Sequence, residues 1–421
     1  MKVLVIGSGG REHAICLALS KSPKVTELYC APGNGGIAQI ATCVDIKATD
    51  IPGVVAWSQE NAVDFVMVAP DDPLAMGMVD ALQEAGIRAF GPTAAAAIVE
   101  GSKAFSKELM KKYGIPTAAY ETFTDMDAAL AYVEKQGAPI VVKCDGLALG
   151  KGVVVAQTAQ EARDAVINMM ANKAFGDSGS TVVIEECMFG PECTVLAFTD
   201  GNVIVPMPSS QDHKRAYDGD LGPNTGGMGA ISPCPNMTPE LSEICMKTIF
   251  KPTIDALNAE GRTFKGVIYF GLMLTEQGPK VVEYNARFGD PECQALLSLL
   301  ESDLMDILEA CVDGTLAQTP VKFRDGASCC LVLASGGYPV AYEKGKEITG
   351  LDQVDGAVVY HAGTKLVDGK FYTNGGRVLG VTAVADDLRS AVDAAYVAAK
   401  PVSFEKMHFR NDIGYHILDA Q

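Results

Sequence analysis

Short solid apolar runs that stop at glycine open the chain. Lys2–Ile6, Glu27–Cys30, Phe65–Ala69 and Arg88–Phe90 have the length and composition of buried strands. Helical segments lie between them, one running to Lys21 and one from about Pro73 to Glu84. This βαβαβ order predicts a doubly wound parallel sheet over residues 1–101, with its ligand edge at the strand C-termini. The spacing then changes. A helical stretch spans Thr93 to about Tyr120, and strands Ile140–Cys144 and Val153–Ala156 flank a glycine-rich tip. Thr181–Glu185 reads as a further strand, and 210–229 as a long polar loop without an apolar period. Val267–Leu274 and Lys280–Tyr284 pair around the turn Glu276-Gln277-Gly278, and a helix from about Glu292 to Glu309 follows. After the linker Thr319-Pro320, strands Cys329–Ala334, Val358–His361 and Val378–Val384 predict a small α+β unit over 327–421.

Composition sets the scale. A chain of 421 residues is too long for one core, which implies roughly three domains. A net charge of −18 argues against nucleic acid and against an anionic membrane as partners. The lysines and arginines in the motifs must then serve small anions. Met1–Ile6 runs straight into a glycine turn rather than into a leader, and no apolar run is long enough to span a bilayer, so a cytoplasmic location is expected. The 12 cysteines show no C-x-x-C spacing and read as small buried hydrophobes in a reducing compartment.

Candidate chemistry concentrates at strand ends. In E-Y-N-A-R-F-G-D, alternation puts Glu283 and Asn285 on one face, two hard oxygen ligands suited to Mg²⁺. Lys143 stands at the base of the glycine flap 145–152, which carries Gly150, Lys151 and Gly152 and suits a phosphate clamp without being a P-loop. Around Glu185, Glu186 and Met188 the backbone can read an adenine edge, while Glu192 can accept from ribose hydroxyls. Gly9-Gly10-Arg11-Glu12 opens a helix, yet Glu12 occupies the third glycine of a dinucleotide fingerprint; a phosphate turn and a packing turn both stay open. His213 reads as structural rather than as a base. Lys365 and Arg377 sit beside glycine turns as phosphate cations or as solvated surface.

In order and spacing, Lys103, Lys143, the Glu185-Glu186 pair with Glu192, and Glu283-x-Asn285-x-Arg287 resemble the ATP-grasp superfamily. The runs G-P-N-T-G-G-M-G-A and R-F-G-D-P-E, with S-G-G-R-E-H-A, S-Q-D-H-K-R, H-A-G-T-K and N-G-G-R-V, carry the resemblance to the glycinamide ribonucleotide synthetase family from Met1 to about Ile417. The resemblance implies an ATP-grasp domain over 102–320 with a mobile lid at about 120–190, between the N- and C-terminal domains. It implies ligation of glycine to 5-phosphoribosylamine with ATP and Mg²⁺, or Mn²⁺ in its place. Lys103 joins Lys143 on the phosphates, and Arg287, Lys214 and Asp212 act at the reacting carboxylate. Gly9, Gly10, Arg11, Glu12, Asp290, Lys365 and Arg377 take the sugar phosphate. Asn224, Thr225, Gly226, Gly227, Met228 and Gly229 close with the 210–229 loop over glycine and the amine. Asp71 stands where the family usually has Glu, Ser8 where it has Asn, and Cys144 where it has a small residue. The labile amine keeps transient contact with purine-pathway enzymes open. A biotin-dependent carboxylase would need a carrier segment absent from this sequence, and a catalytically dead regulator would have lost Glu283, Asn285 or Lys143.

Overall fold

The computed structural model describes residues 1–147, 152–172, 174, 176–415 and 418. Its N-terminal sheet runs Thr42–Cys43, Glu27–Pro32, Lys2–Gly7, Phe65–Val68, Arg88–Phe90, all parallel. Strand order reverses beside Lys2–Gly7, so the crevice between its end and that of Phe65–Val68 is a topological switch point. Gly9–Glu12 and Asp71 follow these two strand ends. The helix expected from about Pro73 to Glu84 is two pieces, Asp71–Ala75 and Met78–Glu84. Gly77 lies between them at φ +87°, a left-handed conformation that stops the first piece. Helix Ile51–Glu60 went unrecognised in the sequence, although Asp50 caps it through Gly53 N at 3.0 Å.

The middle of the chain builds two four-stranded antiparallel sheets. One, the lid sheet, orders Tyr120–Phe123, Val182–Glu186, Ile140–Cys144 and Val153–Ala156, and helices Met126–Gln136 and Ala159–Met170 cover it with Ala129, Val133, Ala162 and Val166. The other, the base sheet, orders Ile204–Pro206, Glu192–Thr199, Gly266–Thr275 and Gly278–Asn285. The base sheet shares its core with the N-terminal domain, where Ile6 and Val68 join Ile268, Phe270 and Tyr284. The lid sheet has a separate core, so less apolar surface ties it down.

Three further expectations are corrected. Thr93–Tyr120 is two helices, Ala94–Gly101 and Lys103–Tyr113, parted at Ser102, whose extended backbone (ψ 114°) lets its hydroxyl cap the second through Phe105 N. The helix from Glu292 ends at Leu297, and a new one, Leu304–Asp313, starts where Asp303 caps Met305 N at 2.8 Å. The 210–229 stretch is not merely a loop. Gln211–Asp212 and Gly229–Ser232 join the sheet formed by Ala327–Ser335, Arg377–Ala385 and Val358–His361, while Arg215–Tyr217 pairs with Leu221–Asn224. Helix Leu388–Ala399 packs Ala391, Val392 and Ala395 on that sheet. Among the described residues, no helix is long and apolar enough to cross a membrane.

Candidate functional site

Strand Gly278–Asn285 carries an irregularity that aims its end. Gly271 pairs with Glu283 but Leu272 with Val281, so Val282 is an extra residue, a bulge. Before it Val281 faces the core; after it Tyr284 does. Strict alternation from Val281 would have buried Glu283. The bulge turns Glu283 and Asn285 to the open side together. Glu283 makes no hydrogen bond or ion pair among the described residues. Burial pushes its carboxyl up, but Lys214, Lys143, Lys103 and Arg287 together hold it below the usual range. The four cations expected at the phosphates and the reacting carboxylate thus converge on one ionised carboxylate.

Each cation has its own anchor. Lys103, first residue of its helix, donates to Gly146 O at 2.9 Å, and Asp145 caps that helix through Ala104 N at 3.1 Å and Ser102 Oγ at 3.1 Å. The start of the flap is therefore pinned to the helix that carries Lys103. Lys143 Nζ lies 2.9 Å from Glu185 Oε1 and 3.1 Å from Val282 O. Lys214 reaches Glu192 at 3.3 Å across a half-exposed rim. Arg287 pairs with Glu100 at 2.9 Å and donates to Asn285 Oδ1 at 3.2 Å, which fixes the amide's oxygen. Its Nε is buried without a partner. Asp212, on the adjoining edge strand, also has an orphan, Oδ1; burial, then Glu292, pushes its carboxyl well up.

The second cluster lies at the switch point. Asp290 accepts from Gln294 at 2.8 Å and from Arg11 N at 3.4 Å, and pairs with Arg377 at 3.4 Å. Arg377 also donates to Gly226 O at 2.7 Å and to Asp290 O at 2.6 Å, joining the C-terminal domain to this site. Arg11 donates to Phe288 O at 2.9 Å and to Glu12 at 2.7 Å. Glu12, 2% exposed, caps its own helix through Gly9 N. That N–H is thereby satisfied by the protein's own carboxylate, at a turn that lacks the third glycine of the fingerprint. At Gly10, any Cβ would lie 2.4 Å from Gln294 Nε2. Gly227 sits at φ +115°, where a Cβ would strike Pro291 at 2.6 Å.

Some expected residues lie elsewhere or have other duties. Met228 is fully buried in the C-terminal core and Gly229 pairs with Leu331, their carbonyls taken by Val332 N and His213 N. Both are packing residues rather than a lid over substrate, because the strand containing Gly229 completes the C-terminal sheet. Glu186 faces outward, paired with Lys280 at 3.3 Å, and Lys365 is exposed on strand Thr364–Val367. Asn224 and Thr225 stay at the surface of the loop, Thr225 donating to Lys214 O at 2.8 Å. Gly150 and Lys151 lie outside the described residues; Gly152 accepts from Cys144 N at 2.9 Å through its carbonyl, and Met188 is half-buried. His213 has both ring nitrogens engaged, with Nε2 accepting from Gly414 N at 3.1 Å and Nδ1 facing Gly229 O at 3.3 Å, and burial lowers its pKa to about 4.

Three family models cover the chain: the phosphoribosylglycinamide synthetase N domain at residues 1–100, its ATP-grasp (A) domain at 101–293 and its C domain at 328–416. The phosphoribosylamine–glycine ligase of Vibrio parahaemolyticus is 50% identical over 423 aligned residues, covering 99% of each chain. The chain belongs to the phosphoribosylglycinamide synthetase family. The crystal structure of the phosphoribosylamine–glycine ligase of Thermotoga maritima superposes with a TM-score of 0.87 at 33% identity, covering 98% of this chain and all of that one. A biotin carboxylase domain from Hydrogenobacter thermophilus, at 17% identity and a TM-score of 0.76 over 96% and 91% of the two chains, shares the fold.

ATP-grasp proteins work with ATP and a divalent metal, and the site of this phosphoribosylglycinamide synthetase relative fits both. No group of three or more His, Cys, Asp or Glu forms a metal cage among the described residues. Glu283 and the fixed Asn285 oxygen offer two ligands and leave the rest to phosphate and water, as Mg²⁺ accepts. Two residues central to this geometry, Lys107 and Glu100, were missed. Lys107 lies one turn after Lys103 in K-A-F-S-K, and Glu100 lies within an alanine-rich apolar helix; the i, i+4 lysine spacing was the available signal for the first, and nothing marked the second.

Proposed function

We propose that this chain ligates glycine to 5-phosphoribosylamine with ATP, giving glycinamide ribonucleotide, ADP and phosphate in purine synthesis. The observation that carries it is the convergence of Lys103, Lys143, Lys214 and Arg287 on Glu283 where lid and base sheets meet. Glycine's carboxylate is a poor electrophile. Its oxygen attacks the γ-phosphorus of ATP, ADP leaves, and the resulting glycyl phosphate carries a good leaving group. The amine of phosphoribosylamine attacks the carbonyl carbon, phosphate departs and the nitrogen loses a proton. Such transfers need positioning and charge neutralisation more than a protein nucleophile.

Lys103 and Lys143 take the nucleotide phosphates, with the flap Gly150, Lys151, Gly152 over them. Backbone around Glu186 to Met188 faces adenine and Glu192 the ribose. A divalent cation, Mg²⁺ or Mn²⁺, held by Glu283 and Asn285 would neutralise phosphate charge. Arg287, held by Glu100, stabilises charge at the acyl phosphate, and Asp212 and Lys214 border glycine. Arg11, Asp71, Asp290, Arg377 and Lys365 meet the sugar phosphate and its amine. The test is ADP release with Mg²⁺-ATP and glycine, with and without phosphoribosylamine generated in place. Product stoichiometric with ADP only when both acceptors are present is the expected result. ADP formed with another carboxylate in place of glycine would overturn the substrate.

A further inference from the structure

Buried between lid and base lies a set of two lysines on one glutamate. Lys107, Lys143 and Glu185 are 2%, 4% and 3% exposed. Lys107 Nζ is 2.9 Å from Glu185 Oε2 and 2.8 Å from Thr117 Oγ1; Lys143 Nζ is 2.9 Å from Glu185 Oε1. Glu185 and Lys143 belong to the lid sheet. Lys107 comes from helix Lys103–Tyr113, and Thr117 donates to Val281 O at 2.7 Å, on the base strand that carries Glu283. The set therefore straddles the joint between the two sheets.

One carboxylate serves two ammonium groups, of which Lys143 also faces Glu283. Lys107 is held besides by Thr117 Oγ1 and Lys143 by Val282 O, and the Lys143–Glu185 contact is as short as that of Lys107, both at 2.9 Å. A lysine that is to meet a phosphate must loosen this contact, and a buried glutamate losing its counter-ion would resist. Lys107 removes that resistance by remaining on Glu185.

We infer that Lys107 is a positioning residue for nucleotide binding: it neutralises Glu185 so that Lys143 can turn from Glu185 to the phosphates of ATP. The inference rests on the nucleotide reading of the site. Lys107 touches neither substrate nor metal ligand in this role. Its own ammonium is strained by burial, which lowers its pKa to about 8 against the opposing pull of Glu185. Its charge is accordingly lost at mildly alkaline pH, before an ordinary lysine's.

The experiment measures ATP dissociation constants by calorimetry with Mg²⁺ in the full-length protein. Wild type should bind ATP; no binding at all would sink the nucleotide reading rather than this inference. Lys107→Met should weaken ATP at least tenfold, as Glu185 retains Lys143. The double variant Lys107→Met/Glu185→Gln should recover most of that loss, which a purely structural lysine would not allow. Should Lys107→Met fail to fold, the pH profile decides. Wild-type affinity should fall severalfold as pH rises through about 8, whereas Lys107→Arg, which stays charged, should hold its affinity there. Wild-type ATP binding with an unchanged constant in Lys107→Met, no recovery in the double variant, or identical alkaline profiles for wild type and Lys107→Arg would each overturn the inference.

Discussion

The two clusters differ in how far the protein satisfies its own charges. Around Asp290 the charges are matched within the protein: Arg11 holds Glu12 and Phe288 O, Arg377 holds Gly226 O and Asp290, and Gln294 donates to Asp290, with its own Oε1 lacking a hydrogen bond among the described residues. Around Glu283, by contrast, the central carboxylate has no hydrogen bond or ion pair among the described residues although four cations surround it, and the Arg287 Nε lacks a partner there. A buried group left unsatisfied costs stability, and a fold retains such a cost where a ligand repays it. The first cluster is a scaffold that can also receive a substrate. In the second, the central carboxylate has no such partner among the described residues.

This contrast predicts opposite signatures under mutation. The largest effect is expected at Glu283. Glu283→Gln should reduce ADP formation by about 10²–10³-fold, following the usual size of transition-state charge effects, with the melting temperature unchanged or raised. A melting temperature lowered as much as activity would place Glu283 in the scaffold instead. Asp290→Asn should do the reverse in kind. It leaves Arg377 without its carboxylate, so unfolding free energy should drop by about 3–5 kcal/mol, as for broken buried ion pairs. Denaturant titration reads that change, and an undiminished midpoint would refute the scaffold description.

Acid should loosen the fold at two buried histidines. His213 must stay neutral to accept from Gly414 N, and His13 to accept from His361 N at 2.7 Å. Burial, the larger cause in both, lowers their pKa values to about 4 and about 3. The unfolded chain binds protons near pH 6.5 while the folded one does not, so their neutral state stabilises the fold above that pH. This stability is lost as pH falls from about 6.5 through 4, on the order of 1–3 kcal/mol for His213 alone. Urea unfolding between pH 7 and 4 should show it, and His213→Gln should flatten the slope. The smallest effect is expected at Lys365. Being exposed, Lys365→Ala should leave stability within about 0.5 kcal/mol and raise the Michaelis constant for phosphoribosylamine only severalfold. An unchanged constant would remove Lys365 from the substrate end.

Much of this organisation was legible in the chain. Four of the five parallel N-terminal strands were expected, all but the two-residue edge strand Thr42–Cys43, and Ile140–Cys144 and Val153–Ala156 fell where expected. Glu283 and Asn285 were rightly placed on one face. What local pattern could not reveal was which face. Alternation from Val281 points Glu283 into the core, and only the pairing of Gly271 and Leu272 with the neighbouring strand exposes the extra residue. Likewise, nothing local distinguishes Met228 as core from Thr225 as surface, since that depends on Gly229–Ser232 finding Ala327–Ser335 nearly a hundred residues away.

By itself the sequence determined the inventory: which strands form, which carboxylates, amides and lysines end them, and which family pattern they spell. Those properties follow from short-range periodicity and residue chemistry. The tertiary structure decided the pairing of charges. It set Glu185 between Lys107 and Lys143, closed the N-terminal turn with Glu12, and gathered four cations around Glu283. Electrostatic partnership depends on distances of a few ångströms between residues far apart in the chain, and only packing of the sheets against one another sets those distances.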